Sequence, residues 1–423
     1  MEEDRVVKSN KTLVLCFDGT AAEYDGDNTN IPLFFSFLKK NNNREQLCYY
    51  QPGVGTYFNP GVVSPVFTWA AKILDEAFAW YLDEHVMDGY RFIMSNYEAG
   101  DKICLFGFSR GAYTARALAG FLYKVGLLSK DNDAQVPFAY KLYEREDKDG
   151  LELCRGYKKT YCQEVDIEFV GVWDTVASVG IFRGRTLPFV SSNHSIKTFR
   201  HAVSLDERRA KYLPNLYHRP TPKAAILKGA STLGENSSSS TEHKTSLWCF
   251  PRSKNKKDQP IEFGEASDVL EVWFAGYHSD VGGGKELNGT LNSLNYISLR
   301  WMIREVIKSG CGIKFDNEAL KQLKIEFDGE KIKEVDRVDA LAKEHDSLVL
   351  DRIWWLLEII PMKFRYQEHD GSWKTTFRWH LGRGRRIVNK EPVFHSSVKT
   401  RVELKAGYKP RAEWEAGTER YVS

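Results

Sequence analysis

The chain has 423 residues, 42% of them hydrophobic, with 60 lysines and arginines against 57 acidic residues. That length buries a large core, and a net charge of +3 without a long basic block excludes an electrostatic footprint for nucleic acid. No apolar run approaches the roughly 18–20 residues of a membrane-spanning helix, and Leu13–Phe17 is too short for a signal-peptide core.

Seven scattered cysteines without a CxxC pair suit neither a disulfide framework nor a zinc site, so no metal is expected. A soluble cytoplasmic protein is the expectation.

In chain order, Thr12–Phe17 (TLVLCF) reads as a buried strand ending at Asp18-Gly19. Asn30–Lys40 is a short helical pattern, and Leu47–Gln51 a second strand before the turn signal PGVG. Phe67 to about Tyr97 is helix-compatible, with an interruption expected at Gly89. Lys102–Phe106 is a third strand, followed by a helix over Ala112–Val125 that Gly126 closes. Further strands fall at Ile167–Trp173, His201–Leu205 and Leu270–Gly276, and a further helix at Leu291–Val306.

Such alternation predicts an α/β-hydrolase-like class, a mostly parallel sheet with helices on both faces. In open sheets of this kind, chemistry collects at the carboxyl ends of the strands. The expected division is a catalytic domain over residues 10–310, interrupted by a flexible Ser/Lys/Asn-rich insertion at about 223–260. Residues 311–423 form a C-terminal cap or subdomain packed on that core. Within them, LDRIWWLLEIIP is read as core rather than as a lipid-facing surface, and Leu381–Arg386 as a Gly/Arg-rich loop. Val62–Tyr81 and Pro137–Tyr161 are further candidates for a cap over the sheet.

The stretch CLFGFSRGAYTARAL (Cys104–Leu118) carries the strongest chemical signal. A nucleophile elbow needs a strand, a sharp turn and a helix, with small residues flanking the serine. KICLF supplies the strand, Gly107 and Gly111 flank Ser109, and AYTARALAGFL supplies the helix. A helix-capping serine would explain Ser109 but not the two glycines and the buried strand before it.

A serine needs a base, and of ten histidines His278, in EVWFAGYHSDVGGG, follows a strand and precedes a glycine cluster. His201 lies within a strand-like run and reads as packed; His395 is a weaker candidate base. The acid that orients the imidazole is taken as Asp174, directly after a buried strand in FVGVWDTVASVG. Asp206, in HAVSLDERR, is the alternative acid, and Asp280 a third option better suited to holding its own loop.

The order Ser109, Asp174, His278 is the chain order of α/β-hydrolases. The oxyanion donors are expected to be the backbone N–H of Arg110 and that of Gly19 or Thr20, with Asp18 bracing the loop. The alternative suggested by CFDGT, a haloacid-dehalogenase phosphatase, lacks its nucleophilic aspartate because Cys16 stands there.

The blocks LVLCFDGT, DNTN, YQPGVGT, GFSRGAYTARALAG, VGVWDTVASVG, RHAVSLDERR, VWFAGYHSDVGGG and SLRWM follow one another in this chain. Together they resemble a family of α/β-hydrolase domains, bacterial and fungal, related to the catalytic domain of type VI secretion phospholipase effectors. The resemblance covers roughly residues 10–310, with echoes at GRGRRIV and FHSSVKTR. It implies an acyl-ester hydrolase, phospholipase-like in some members, and assigns the serine, aspartate and histidine to Ser109, Asp174 and His278.

The expected function is therefore a serine hydrolase of acyl esters, lipase- or phospholipase-like, working through an acyl-enzyme without a cofactor. The expected partners are an acyl-ester or lipid substrate and, transiently, a membrane surface. Two alternatives stand beside it: an esterase or thioesterase for a small soluble substrate, and a hydrolase fold retained as a binding module.

Overall fold

The structure is a computed structural model that describes residues 10–19, 24–53, 67–176, 193, 195–217, 268–322, 329–368 and 372–423. Over 67–81, 329–332, 322 and 365 it describes the backbone alone. The expected insertion at 223–260 and residues 62–66 of one cap candidate lie outside the described residues.

Eight strands form one sheet: β1 (Thr12–Phe17), β2 (Gln46–Gln51), β3 (Lys102–Phe108), β4 (Ile167–Trp173), β5 (Ile196–Ser204), β6 (Asp268–Phe274), β7 (Val393–His395) and β8 (Arg420–Val422). Their spatial order is β8-β7-β6-β5-β4-β3-β1-β2, and every ladder is parallel. Parallel strands must be covered on both faces, and alternation along the strands achieves it. Leu13, Leu15, Phe17, Ile103 and Leu105 pack on one side with α2 (Phe67–Asn96) and α3 (Ser109–Val125). Val14, Cys16, Cys104 and Phe106 pack on the other with α1 (Asn30–Ser36) and the helix Leu294–Ser309.

The helix α2 runs unbroken through Gly89. A Cβ there would lie 2.8 Å from the Phe17 ring and 2.9 Å from Leu118, so the glycine admits close packing on the sheet and does not end the helix. Propensity marks the residue as a breaker; tertiary packing decides otherwise.

Residues 311–423, expected as a cap or subdomain, also contribute to the main sheet. They supply β7 and β8, which extend the sheet beyond β6, and Phe394, Ile387 and Val398 pack on Val203, Leu205 and Trp273. Among the described residues no helix is long and apolar enough to cross a membrane.

Register fixes what meets at the carboxyl edge. Phe17 pairs with Gly107, Phe108 with Trp173, Trp173 with Ala202, and Ser204 with Phe274. One residue further on, this register sets Asp18 level with Phe108, Ser109 level with Asp174, and Leu205 level with Ala275. The sheet order reverses between β1 and β3, the kind of position at which ligands bind in open α/β sheets.

Candidate active site

Ser109 is the first residue of α3, immediately after β3, with φ at 56°. That left-handed conformation costs an L-residue roughly 1–2 kcal/mol, and it turns the chain sharply enough to lift the side chain above the strand ends. The turn leaves no room for neighbours. A Cβ on Gly107 would lie 2.4 Å from the Gly111 carbonyl oxygen, and one on Gly111 would lie 2.2 Å from that of Phe17.

His278 opens a short helix after β6, and Asp174 follows the end of β4 with φ at 37°. The Ser109 Oγ lies 2.8 Å from His278 Nε2, and His278 Nδ1 lies 2.5 Å from Asp174 Oδ2. An ionised carboxylate only accepts, so Nδ1 carries the proton and Nε2 is left to accept from the serine hydroxyl. All three side chains are buried. Phe108 stacks on the imidazole at 4.6 Å and Tyr212 meets it edge-on at 4.8 Å, which confines the ring to this orientation.

The carboxylate of Asp174 is saturated. Arg385 donates to Oδ1 at 2.5 Å and to Oδ2 at 2.9 Å, and the Ser204 N–H donates to Oδ1 at 2.9 Å. Burial alone would push its pKa up, but the Arg385 charge and the His278 hydrogen bond hold it well below the usual carboxylate range. Burial lowers the pKa of His278, opposed by Asp174, so the resting imidazole is neutral at neutral pH.

A second buried pair adjoins: Glu207 accepts from Arg209 at 2.9 Å and from the His278 N–H at 3.2 Å. Two carboxylates face two guanidiniums, a balance that buried charges require.

The alternative candidates make other contacts. Asp206 accepts from the N–H groups of Gly276 and Arg411 and from the Tyr408 hydroxyl, at 2.6, 2.8 and 2.7 Å. It ties the strand end before His278 to the C-terminal segment, and burial pushes its pKa up to about 6. Asp280 accepts from the Tyr277 N–H and pairs with His345 at 2.7 Å, holding its own loop. His201 Nε2 accepts from the Thr175 N–H at 3.0 Å and so fixes the backbone just after Asp174. His395 is buried, caps the helix Ser396–Leu404 and stacks on Phe274. Cys16 is packed in the core, its thiol pushed up by burial.

Two of the three expected oxyanion donors, Arg110 and Gly19, lie within the described residues. Arg110 is the second residue of α3, in the first turn, where N–H groups point out of the helix. The Gly19 N–H donates to the Asp18 carboxylate at 2.7 Å and is thereby engaged in this structure, while Thr20 lies outside the described residues. Asp18 also accepts from Thr29 at 2.6 Å and Tyr50 at 2.9 Å, and burial pushes its pKa up to about 6.

Sequence reasoning missed Arg385, Glu207 and Tyr212. The arginine-rich loop Leu381–Arg386 was visible, but nothing in it indicates which arginine turns inward across 211 positions to Asp174. Among the described residues no cluster of three or more histidine, cysteine or carboxylate side chains is placed to hold a metal ion.

Residues 11–305 match the family model described as T6SS, Phospholipase effector Tle1-like, catalytic domain. The chain belongs to this Tle1-like family. The uncharacterized protein YEL023C of Saccharomyces cerevisiae is 29% identical over 549 residues, an alignment covering 95% of this chain and 80% of the yeast protein.

Two solved structures are similar to it at a TM-score of 0.39. One is an uncharacterized protein from Pseudomonas aeruginosa, 18% identical, covering 82% of this chain, which spans about half (53%) of that protein. The other is the Tle1 effector bound to the VgrG spike from the Type 6 secretion system, 12% identical, covering 88% of this chain and 92% of that one. The Tle1-like match ends at residue 305, so Arg385 and the Asp206 partners Tyr408 and Arg411 lie beyond it.

Proposed function

We propose that the protein is a serine hydrolase that cleaves acyl esters of lipids through an acyl-enzyme on Ser109. The single observation that carries this reading is the unbroken hydrogen-bonded relay from Ser109 Oγ through both nitrogens of His278 to Asp174. Membership of a phospholipase-effector family supports the lipid-ester class.

His278 Nε2 takes the hydroxyl proton as Ser109 Oγ attacks the ester carbonyl, and Asp174 stabilises the imidazolium that forms. The negative charge on the former carbonyl oxygen is met by the Arg110 N–H, assisted by the amino end of α3. Collapse of the tetrahedral intermediate expels the alcohol, which receives the proton from Nε2. Water then enters, gives a proton to Nε2 and attacks the acyl-serine; the returning proton regenerates Ser109 and the free acid leaves.

The test is the conversion of long-chain phospholipid and short-chain soluble esters by wild type and by Ser109→Ala. Loss of both activities in a folded variant is the expected result. Retention of either activity in that variant would remove Ser109 from the chemistry.

A further inference from the structure

Ten of the large apolar side chains left exposed among the described residues lie between Val349 and Leu381, including Leu356, Ile359, Phe377 and Trp379 at 53, 56, 73 and 56% exposure. The first part of this stretch, LDRIWWLLEIIP, reads as core in the sequence, yet Leu350, Ile353, Trp355, Leu356, Ile359 and Ile360 are exposed in the fold. The elements of the whole stretch are single turns of helix, Ser347–Leu350, Arg352–Trp354 and Trp355–Glu358, and a two-stranded hairpin, Met362–Gln367 with Trp373–Arg378. Turns this short cannot bury a hydrophobic run on their own.

The stretch is nonetheless firmly held. The buried Glu358 accepts from the Ala210 N–H at 2.6 Å, the Gly382 N–H at 2.9 Å and His380 Nδ1 at 2.7 Å, and its carbonyl accepts from the Leu381 N–H. Trp355 Nε1 donates to the Leu348 carbonyl at 3.0 Å. These bonds draw the helical turns and the far end of the hairpin into one surface.

Charge chooses the partner. Among the described residues from 349 to 386, Arg352, Lys363, Lys374, Arg378, Arg383 and Arg386 are exposed against one exposed carboxylate, Asp351. In a chain that is nearly neutral overall, this bias is local. Apolar side chains including tryptophan and phenylalanine, flanked by cations, suit the headgroup boundary of an anionic bilayer.

Position gives the surface a purpose. Trp354 lies 5.5 Å edge-on to Tyr212, which lies 4.8 Å from the His278 ring, and the Arg209 guanidinium is over both aromatic faces. From Leu381 on this surface, four further residues lead to Arg385 on Asp174.

The geometry points to this surface, residues 349–368 and 372–381 with their flanking cations, as the face on which the protein docks to an anionic lipid membrane. Its purpose rests on the lipid-ester reading above, because a buried Ser109 reaches a bilayer lipid only if that lipid is drawn in beside it.

The test uses full-length Ser109→Ala, which cannot consume the membrane, in sedimentation with vesicles of phosphatidylcholine alone or with added phosphatidylserine. Anionic vesicles should bind it more tightly, less so as salt rises. Leu356→Glu with Trp379→Glu should weaken that binding about tenfold or more, and Lys363→Glu with Arg378→Glu should abolish the anionic preference. Both pairs, made in the active protein, should keep the thermal midpoint and short-chain ester hydrolysis.

Soluble-ester hydrolysis without vesicle binding overturns the docking surface and leaves the hydrolase standing. Vesicle binding that responds to both variant pairs in a protein without hydrolysis supports the surface and removes the hydrolase. Binding indifferent to both pairs, or a dimer in sedimentation velocity that the apolar pair dissolves while vesicles stay unbound, also overturns it.

Discussion

Arg385 holds both carboxylate oxygens of Asp174, at 2.5 and 2.9 Å, while the same aspartate carries the imidazole of His278 at 2.5 Å. The cation and the imidazole thus compete for one carboxylate. Arg385→Gln removes a positive charge that damps the pull of Asp174 on His278, so the pKa of His278 should rise. The rate depends on neutral imidazole, hence the acidic limb of kcat/KM should move to higher pH by roughly one unit. A limb that stays in place or moves down would show that Arg385 serves folding alone.

In the wild type the limb should lie low. Burial depresses the pKa of His278, so the neutral base is already formed below the ordinary histidine range. The kcat/KM profile should therefore fall toward acid with a midpoint below the ordinary histidine value of about 6.5. A midpoint above that value would contradict the assigned environment.

Asp174→Asn and Asp206→Asn separate chemistry from architecture. The first should lower kcat by roughly 10⁴ at neutral pH, because an amide no longer holds the Nδ1–H tautomer. The second sets an NH₂ group against donors from Gly276, Tyr408 or Arg411 and should cost about 1–3 kcal/mol of stability. Chemical denaturation and steady-state kinetics on both variants check this. A larger catalytic loss from Asp206→Asn would reverse the assignment of the acid.

Two glycine substitutions should differ in sign. Gly111→Ala places a methyl 2.2 Å from a backbone oxygen that cannot move aside, and should destabilise by several kcal/mol (about 3 or more) or prevent folding. Gly156, within the helix Lys148–Tyr161, has open space around its Cβ position, and Gly156→Ala should stabilise by about 0.5–1 kcal/mol. Thermal unfolding compares the two directly.

What was legible in the sequence is what local pattern records. The strand Ile167–Trp173 has the limits that its apolar run suggests, and the elbow around Ser109 is written in consecutive residues. Gly89 was misread because a gap for Phe17 and Leu118 is a tertiary property with the local signature of a breaker. Arg385 was not legible for a related reason: its partner is 211 positions away, and an arginine that turns inward looks like any other in a charged loop. The run LDRIWWLLEIIP misled in the opposite direction, since hydrophobicity reports what a side chain prefers to leave, which is water, and not what it meets instead.

The relay through His278 is tested most directly by labelling the purified protein with a fluorophosphonate and locating the adduct by peptide mass spectrometry. The account predicts one adduct, on Ser109, at a rate that falls by several orders of magnitude in His278→Ala while the fold persists. A folded protein that takes no label, or one labelled on Ser109 as fast without His278 as with it, would contradict it.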